Sequence, residues 1–169
     1  MTTKRLLAAL TALSLTLGIV PAFAASAAEA EQPLWTVREG HRYQVFDESL
    51  SWTEARIRCS LMGGHLVSIS DEAEQTFVQE LIAPFAKDCY WIGLHTLEGG
   101  WKWEDGSEYT YQNWDAEKPD NYAGNEYFGR LYAKSAEHEE WSCNAGKWDD
   151  AADEADDRMP MTGCGFICE

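Results

Sequence analysis

The stretch NWDAEKPDNYAGNEY, residues 113–127, gathers carboxylate and amide side chains around Pro119 and has almost no apolar periodicity. A second acidic pair, Asp149 and Asp150, follows farther along the chain. Oxygen atoms of these types bind hard cations such as Ca²⁺ in sets of roughly six to eight, and they also hydrogen-bond sugar hydroxyls. Acidic runs are more often solvated surface. The surrounding elements must therefore decide between an inert loop and a site for a cation or a sugar.

The four histidines do not form a catalytic or zinc-binding pattern. They lie far apart, at His41, His65, His95 and His138. The sequence also contains no HExxH, GxSxG or paired-cysteine zinc spacing. We therefore expect a protein that binds without catalysis and is not an enzyme.

The first 24 residues are typical of a secretory signal peptide. Two basic residues precede the apolar run LLAALTALSLTLGIV, and small residues follow it. We expect cleavage between Ala24 and Ala27, a flexible leader over residues 25–34 and one domain over residues 35–169. The protein is then secreted and extracellular.

The chain is strongly acidic, with 29 Asp and Glu against 13 Lys and Arg and a formal net charge of −16. Such a surface repels nucleic acid and anionic lipid, so neither is an expected partner. No apolar stretch after the signal is long enough to span a bilayer, so we expect no membrane insertion. These features indicate a small secreted single-domain protein, which we expect to come from a bacterium.

Five cysteines lie after the signal peptide, in a chain expected to reach an oxidising compartment. They are Cys59, Cys89, Cys143, Cys164 and Cys168. Two disulfides are the default expectation, and one cysteine must be left over. The residues alone leave every choice of the unpaired cysteine open, each with about three pairings of the other four.

Two helices are predicted in the first half of the domain. Ser51 and Glu54 have the spacing of a capping box, and the Gly63-Gly64 pair can adopt the left-handed conformation that ends a helix. A second helix is predicted to begin at Ser70-Asp71, because apolar residues then recur every three and four positions before Pro84.

Strands are predicted on both sides of these helices. HRYQVFD alternates as a half-buried strand does, with Tyr43 and Val45 inward, and HLVSI, CYWIGL, GGWKWEDGS and YTYQNW follow as short β-type runs. Regular periodicity is scarce over residues 115–146. A loop of that length in a compact domain indicates either a functional loop or a wrong assignment.

Seven motifs in this chain occur in the order found in C-type lectin-like domains. They are YWIGL, GGWKWEDGS, YQNW, EKPDN, the pair Asn125-Glu126, GKWDD and the closing FICE. The chain resembles that family over residues 35–169. The resemblance implies an α+β fold, in which two helices flank antiparallel sheets, the first and last strands pair, and a long binding loop projects from one end.

The same resemblance implies a set of disulfides. The family's long-range bridge corresponds to Cys59 with Cys168. Phe128 stands where the first cysteine of the second bridge is expected, so we assign that bridge to Cys143 and Cys164, which leaves Cys89 unpaired.

Calcium is the cofactor that the resemblance implies, but the ligand set departs from the family pattern. The positions that hold calcium in lectins of this family match Lys118, Asp120, Glu126, Asp149 and Asp150. Four of them carry carboxylates, whereas the Lys118 ammonium cannot coordinate a metal. Glu117 could replace it only if the backbone shifts. A metal site at the four acids and a site without calcium both stay open.

The expected ligand is a carbohydrate or an extracellular protein. The family's sugar-binding positions correspond to Lys118, Asp120, Asn121, Tyr122, Glu126 and Asp149. Lys118 places a hydrogen-bond donor before Pro119, and Asp120 places an acceptor after it, which is the order found in galactose-binding members of the family. Those members have glutamine, not lysine, before the proline. Aromatic candidates beside the loop are Trp114, Tyr122, Tyr127 and Trp141, while the family buries Trp91, Trp101, Trp103 and Trp148. The resemblance implies a calcium-dependent sugar-binding module or a calcium-independent protein-recognition or adhesion module.

Overall fold

The structure is a computed structural model that describes residues 35–139, 142–154 and 163–169. The expected signal peptide and leader, residues 1–34, and the aromatic candidate Trp141 lie outside the described residues. The helices are α1 (Trp52–Leu61) and α2 (Glu72–Ile82), with a 3₁₀ turn at Tyr122–Gly124. The strands are β1 (Thr36–Arg38), β2 (His41–Phe46), β3 (Cys89–His95), β4 (Lys102–Trp103), β5 (Phe128–Tyr132), β6 (Ala136–Glu137), β7 (Ser142–Cys143), β8 (Trp148–Ala151) and β9 (Gly165–Cys168).

The larger sheet among the described residues has the strand order β1-β2-β9-β3-β5-β8, with β4 on the edge of β3. β2 and β9 pair antiparallel, so the first and last parts of the domain meet as the resemblance implies. β3 and β9 pair in parallel, and β5 and β8 pair antiparallel. β6 and β7 form a separate hairpin. The α+β fold with two helices is therefore confirmed.

α1 begins and ends where the sequence predicts. The Ser51 hydroxyl accepts from the backbone N–H of Glu54 at 3.2 Å, and the Ser51 N–H donates to the Glu54 carboxylate at 2.9 Å, which completes the capping box. Gly63 closes the helix in the left-handed region, at φ +83°. The buried side of α1 presents Trp52 and Cys59 to the sheet.

α2 supports the end of the sheet that carries the long loop. Asp71 caps the helix by accepting from the backbone N–H of Glu74 at 2.7 Å. The buried amide of Gln75 makes two contacts: its Oε1 accepts from Trp148 Nε1 at 2.7 Å, and its Nε2 donates to the Gly146 carbonyl at 2.9 Å. α2 therefore holds the start of β8 through one side chain.

Two predicted strands are not strands within the described part of the chain. Residues 66–69 of HLVSI are buried, but only Leu66 forms an isolated bridge, to Cys168. In YTYQNW only Trp114 forms a bridge, to Trp148. Both runs still make backbone hydrogen bonds to the sheet: the Val67 N–H donates to the Ile167 carbonyl, and the Trp148 N–H donates to the Asn113 carbonyl, both at 2.9 Å. Trp114 also packs edge-on against Trp101, with ring centroids 4.8 Å apart.

One of the two expected disulfides is confirmed, and the other is wrong. Cys59 and Cys168 join α1 to β9 with 5.4 Å between their Cα atoms, as the resemblance implies. Cys164 pairs with Cys89 rather than with Cys143. The reason is the parallel pairing of β3 and β9: Cys89 begins β3, and Cys164 lies just before β9.

Cys143 is the cysteine left outside a disulfide, and all five cysteines lie in the described residues. It lies in the β6–β7 hairpin opposite Ala136. Its buried thiol donates to the Lys134 carbonyl at 3.6 Å, and burial raises the thiol pKa.

Peptide mapping of the non-reduced protein is expected to yield the pairs Cys59–Cys168 and Cys89–Cys164. Because Cys143 is buried, its thiol should be alkylated slowly in the native protein and rapidly after denaturation without reductant. Cys143→Ser is the matched control, since it should abolish alkylation and leave both bridges in place. A mapped Cys143–Cys164 peptide would restore the sequence-based assignment.

Candidate functional site

The long loop leaves the core at Asp115, which is buried. Its N–H donates to the Trp148 carbonyl at 2.8 Å. Its carboxylate accepts from the backbone N–H of Asn144 at 2.7 Å and from the Asn144 amide at 2.8 Å. The first residues of the loop are therefore fixed to the segment that leads into β8.

Three carboxylates converge beyond this anchor. One oxygen atom each from Asp120, Asp149 and Asp150 lies within 4.8 Å of the other two. Asp149 and Asp150 are buried on β8, whereas Asp120 comes from the loop. The sequence predicts four acids in this group, and the structure brings three of them together.

The Lys118 ammonium lies among these carboxylates. Its Nζ is 3.0 Å from Asp120 Oδ1 and 3.0 Å from Asp149 Oδ1. Burial works against the charged form, but the negative charges of Asp149 and Asp120 outweigh it and raise the pKa of Lys118. The two carboxylates therefore favour the charged form of the lysine. The peptide bond between Lys118 and Pro119 is cis.

Asp149 has a second cationic partner. Arg130, which is buried on β5, donates to Asp149 Oδ2 from Nε at 3.0 Å and from Nη2 at 2.7 Å. The Tyr132 hydroxyl donates to the same oxygen at 2.5 Å. Burial raises the cost of charging Asp149, yet Arg130, Tyr132 and Lys118 together lower its pKa.

Arg130 is a site residue that the sequence reasoning missed. The signal was present, because Arg130 interrupts the otherwise uncharged run FGRLY. A charged residue inside a buried strand is rarely tolerated without a partner of opposite charge. A search for that partner among the nearby acids could have found Asp149.

Asp150 fastens the loop to β8 through the backbone. Its carboxylate accepts from the N–H of Asp120 at 3.0 Å and from the N–H of Asn121 at 2.7 Å. Burial raises the pKa of Asp150, while these two N–H groups act in the opposite direction.

Glu126 lies outside the group of converging carboxylates. Its carboxylate accepts from the backbone N–H of Tyr122 at 2.6 Å, and its own N–H donates to the Asn121 side chain at 3.0 Å. It therefore closes the turn at residues 121–126. Burial, with the charges of Asp150 and Asp149, raises the pKa of Glu126 to about 7. Glu117, the expected substitute ligand, is exposed and is also absent from the converging group among the described residues.

The residues present do not fit a bound calcium ion. Calcium needs roughly six to eight oxygen ligands. Here the ammonium of Lys118 contacts two of the three converging carboxylates.

The outer face of the loop is accessible. Tyr122 is 74% exposed, and Asn121 and Tyr127 are also exposed. A cleft of about 300 Å³ lies beside them, lined in part by Pro119, Asn121 and Asp150. Trp114, by contrast, is packed against Trp148 and is not an exposed contact.

Over the residues that the structure describes, no helix combines the length and the apolar character that a membrane crossing requires.

Comparison with known proteins identifies the family. The Lectin C-type domain profile matches residues 48–155. C-type lectin lectoxin-Lio1 of Erythrolamprus poecilogyrus is 36% identical over 115 residues, which cover 65% of this chain and 70% of the lectoxin. Asialoglycoprotein receptor 2 of Homo sapiens is 38% identical over 97 residues, which cover 56% of this chain and 30% of the receptor.

A solved structure agrees with these relatives. The carbohydrate-recognition domain of the mouse scavenger receptor C-type lectin superposes with a TM-score of 0.61 at 29% identity, over 79% of this chain and 91% of that domain. The relatives named here are from animals, so the expected bacterial source has no support. Their names describe lectins, a receptor and a carbohydrate-recognition domain. The chain belongs to the C-type lectin domain family and is a non-catalytic module for binding carbohydrate or protein.

Proposed function

We propose that this chain is a secreted recognition module that binds its ligand on the outer face of the long loop without calcium. The observation that carries the proposal is the position of the Lys118 ammonium, 3.0 Å from both Asp120 and Asp149. Calcium is common in the family, and the four expected ligands are Asp120, Glu126, Asp149 and Asp150. The lysine and the separate position of Glu126 argue against that use here.

Secretion is part of the same proposal. The signal-like residues 1–24, with cleavage between Ala24 and Ala27, would release a leader of residues 25–34 and the domain of residues 35–169. The family match at residues 48–155 falls within that domain. Two disulfides suit a protein that works in an oxidising, extracellular space.

The ligand contacts should shift toward the exposed rim of the loop. Asp149 is too deeply buried to reach a ligand, and Glu126 is engaged by the loop backbone. Asp120, Asn121 and Tyr122 are exposed. A tyrosine ring can pack on the apolar face of a sugar while nearby oxygen and nitrogen atoms hydrogen-bond its hydroxyls.

Carbohydrate is the first candidate ligand. The relatives include a receptor named for asialoglycoproteins and a carbohydrate-recognition domain. The donor at Lys118 and the acceptor at Asp120 are arranged in the galactose sense. Since both groups are already paired with each other, we expect weak sugar binding.

A glycan array tests this function. We expect weak signals in which terminal galactose exceeds mannose, and we expect the same pattern in calcium and in EDTA. Tyr122→Ala should reduce binding about tenfold, the loss of about 1.4 kcal/mol of contact energy. Leu61→Ala is a control, because Leu61 is exposed on α1 and belongs to a different surface. Binding that EDTA abolishes, or a preference for mannose, would contradict the proposal.

Recognition of a protein partner is the second candidate. It is favoured by the exposed side chains of Tyr122 and Tyr127, because aromatic residues are enriched at the centres of protein interfaces. In this case the glycan array is silent, while Tyr122→Ala weakens capture of an extracellular partner in EDTA and in calcium alike. The strong negative charge of the chain favours a partner with a basic surface.

A further inference from the structure

We propose that Lys118 is a covalently attached replacement for a metal ion, and that an acidic residue at this position turns the same carboxylates into a divalent-cation site. The inference rests on the proposed calcium-independent function and explains how the loop keeps its structure without an ion. On this inference, the side chain at position 118 determines whether the loop depends on a metal ion.

The first support is the balance of charge around Asp149. Its Oδ1 atom is buried and receives no directed hydrogen bond from the described residues. The charge at that atom is therefore met by the Lys118 ammonium as an ion pair at 3.0 Å. A metal ion could meet the charge of this buried carboxylate oxygen in place of the ammonium, because a metal ion needs no donor hydrogen.

The second support is the bridge that Lys118 makes between two elements. Its ammonium contacts Asp120 of the loop and Asp149 of β8, so one cation joins the loop to the sheet. A metal ion between these carboxylates would make the same connection. The lysine and a metal ion exclude each other, because two cations cannot share carboxylates at this distance without strong repulsion.

The third support is that Asp149 and Asp150 are held in place by hydrogen bonds of their own. Asp150 accepts two backbone N–H groups from the loop, and Arg130 holds the far oxygen of Asp149. These contacts do not involve Lys118. Removing the ammonium should therefore leave Asp120, Asp149 and Asp150 close together, with one more unit of negative charge to attract a cation.

Thermal unfolding in calcium and in EDTA tests the inference. The wild-type melting temperature should not respond to calcium. Lys118→Glu should melt below the wild type in EDTA, because four carboxylates then repel one another. Calcium at about one hundred times its Kd should raise the melting temperature of that variant by about 8 °C.

Matched variants make the result specific. Lys118→Glu combined with Asp120→Asn should lose most of the calcium response, whereas Lys118→Arg should stay as insensitive as the wild type. If Lys118→Glu does not fold, calorimetric titration of Lys118→Gln with calcium replaces it, and weak binding that is absent from the wild type is expected. A folded Lys118 variant without any calcium binding would overturn the inference alone. A calcium response of the wild type would overturn both this inference and the proposed function, whose own readout is glycan or partner binding in EDTA.

Discussion

Arg130→Ala should lower the free energy of unfolding by about 3 to 5 kcal/mol, because it leaves a buried carboxylate without its main partner. Asp149 is almost fully buried, and Arg130 gives it two hydrogen bonds at 2.7 and 3.0 Å. Lys118 remains, but it is shared with Asp120. Removing a charge from the core costs more than the interaction itself is worth, since the other charge is left in a poorly solvated place.

Urea unfolding followed by tryptophan fluorescence measures this loss. The control is Lys102→Ala, which removes an ion pair with the exposed Glu98 and should change the stability far less. Combining Arg130→Met with Asp149→Asn should recover part of the stability, because both charges are then absent. A loss below about 1 kcal/mol for Arg130→Ala, or a double variant no more stable than the single one, would show that Asp149 is compensated elsewhere.

Removing the Cys59–Cys168 bridge with a pair of alanines should cost about 4 kcal/mol. The bridge closes 109 residues, and a crosslink over such a long loop restricts the unfolded chain strongly. Both cysteines are also fully buried, so the substitution removes packing between α1 and β9. The melting temperature and the urea midpoint should both fall.

Two further sets of cysteine variants show whether this loss of stability comes from the crosslink. Alanines at Cys89 and Cys164 should cost only a few tenths of a kcal/mol less, because that loop spans 75 residues and the entropy depends weakly on loop length. Cys143→Ala should cost clearly less than either pair, about 1 kcal/mol, since it removes a small buried group and no crosslink. Equal losses for Cys143→Ala and the Cys59/Cys168 pair would contradict the assigned bridges.

The sequence predicts best what is decided locally. The capping box of α1 involves Ser51 and Glu54, which are three residues apart. This spacing can be recognised without knowledge of the fold. The alternation of β2 is similarly local, and Tyr43 and Val45 are buried as predicted. The family motifs extend this to the overall fold, including the pairing of β2 with β9.

The remaining errors share a different cause. Cys89 meets Cys164 because β3 and β9 run in parallel side by side, which no spacing along the chain reveals. Similarly, the sequence indicates that Lys118 cannot bind a metal, but its ion pairs with Asp120 and Asp149 depend on how the loop folds back on β8. Glu126 turns toward the loop backbone for the same reason. Tertiary contacts decide these positions.

The backbone attachment of the loop to Asp150 has a consequence for how ligand preference can change. Asp150 holds the N–H groups of residues 120 and 121, not their side chains. Residue 120 can therefore be exchanged for most amino acids without releasing the loop, while position 121, at φ +47°, is suited to Asn, Asp or Gly. Proline is excluded at both positions, because it lacks the hydrogen that Asp150 accepts. Selection or design can thus alter the ligand surface one residue at a time while the backbone attachment to Asp150 is inherited unchanged.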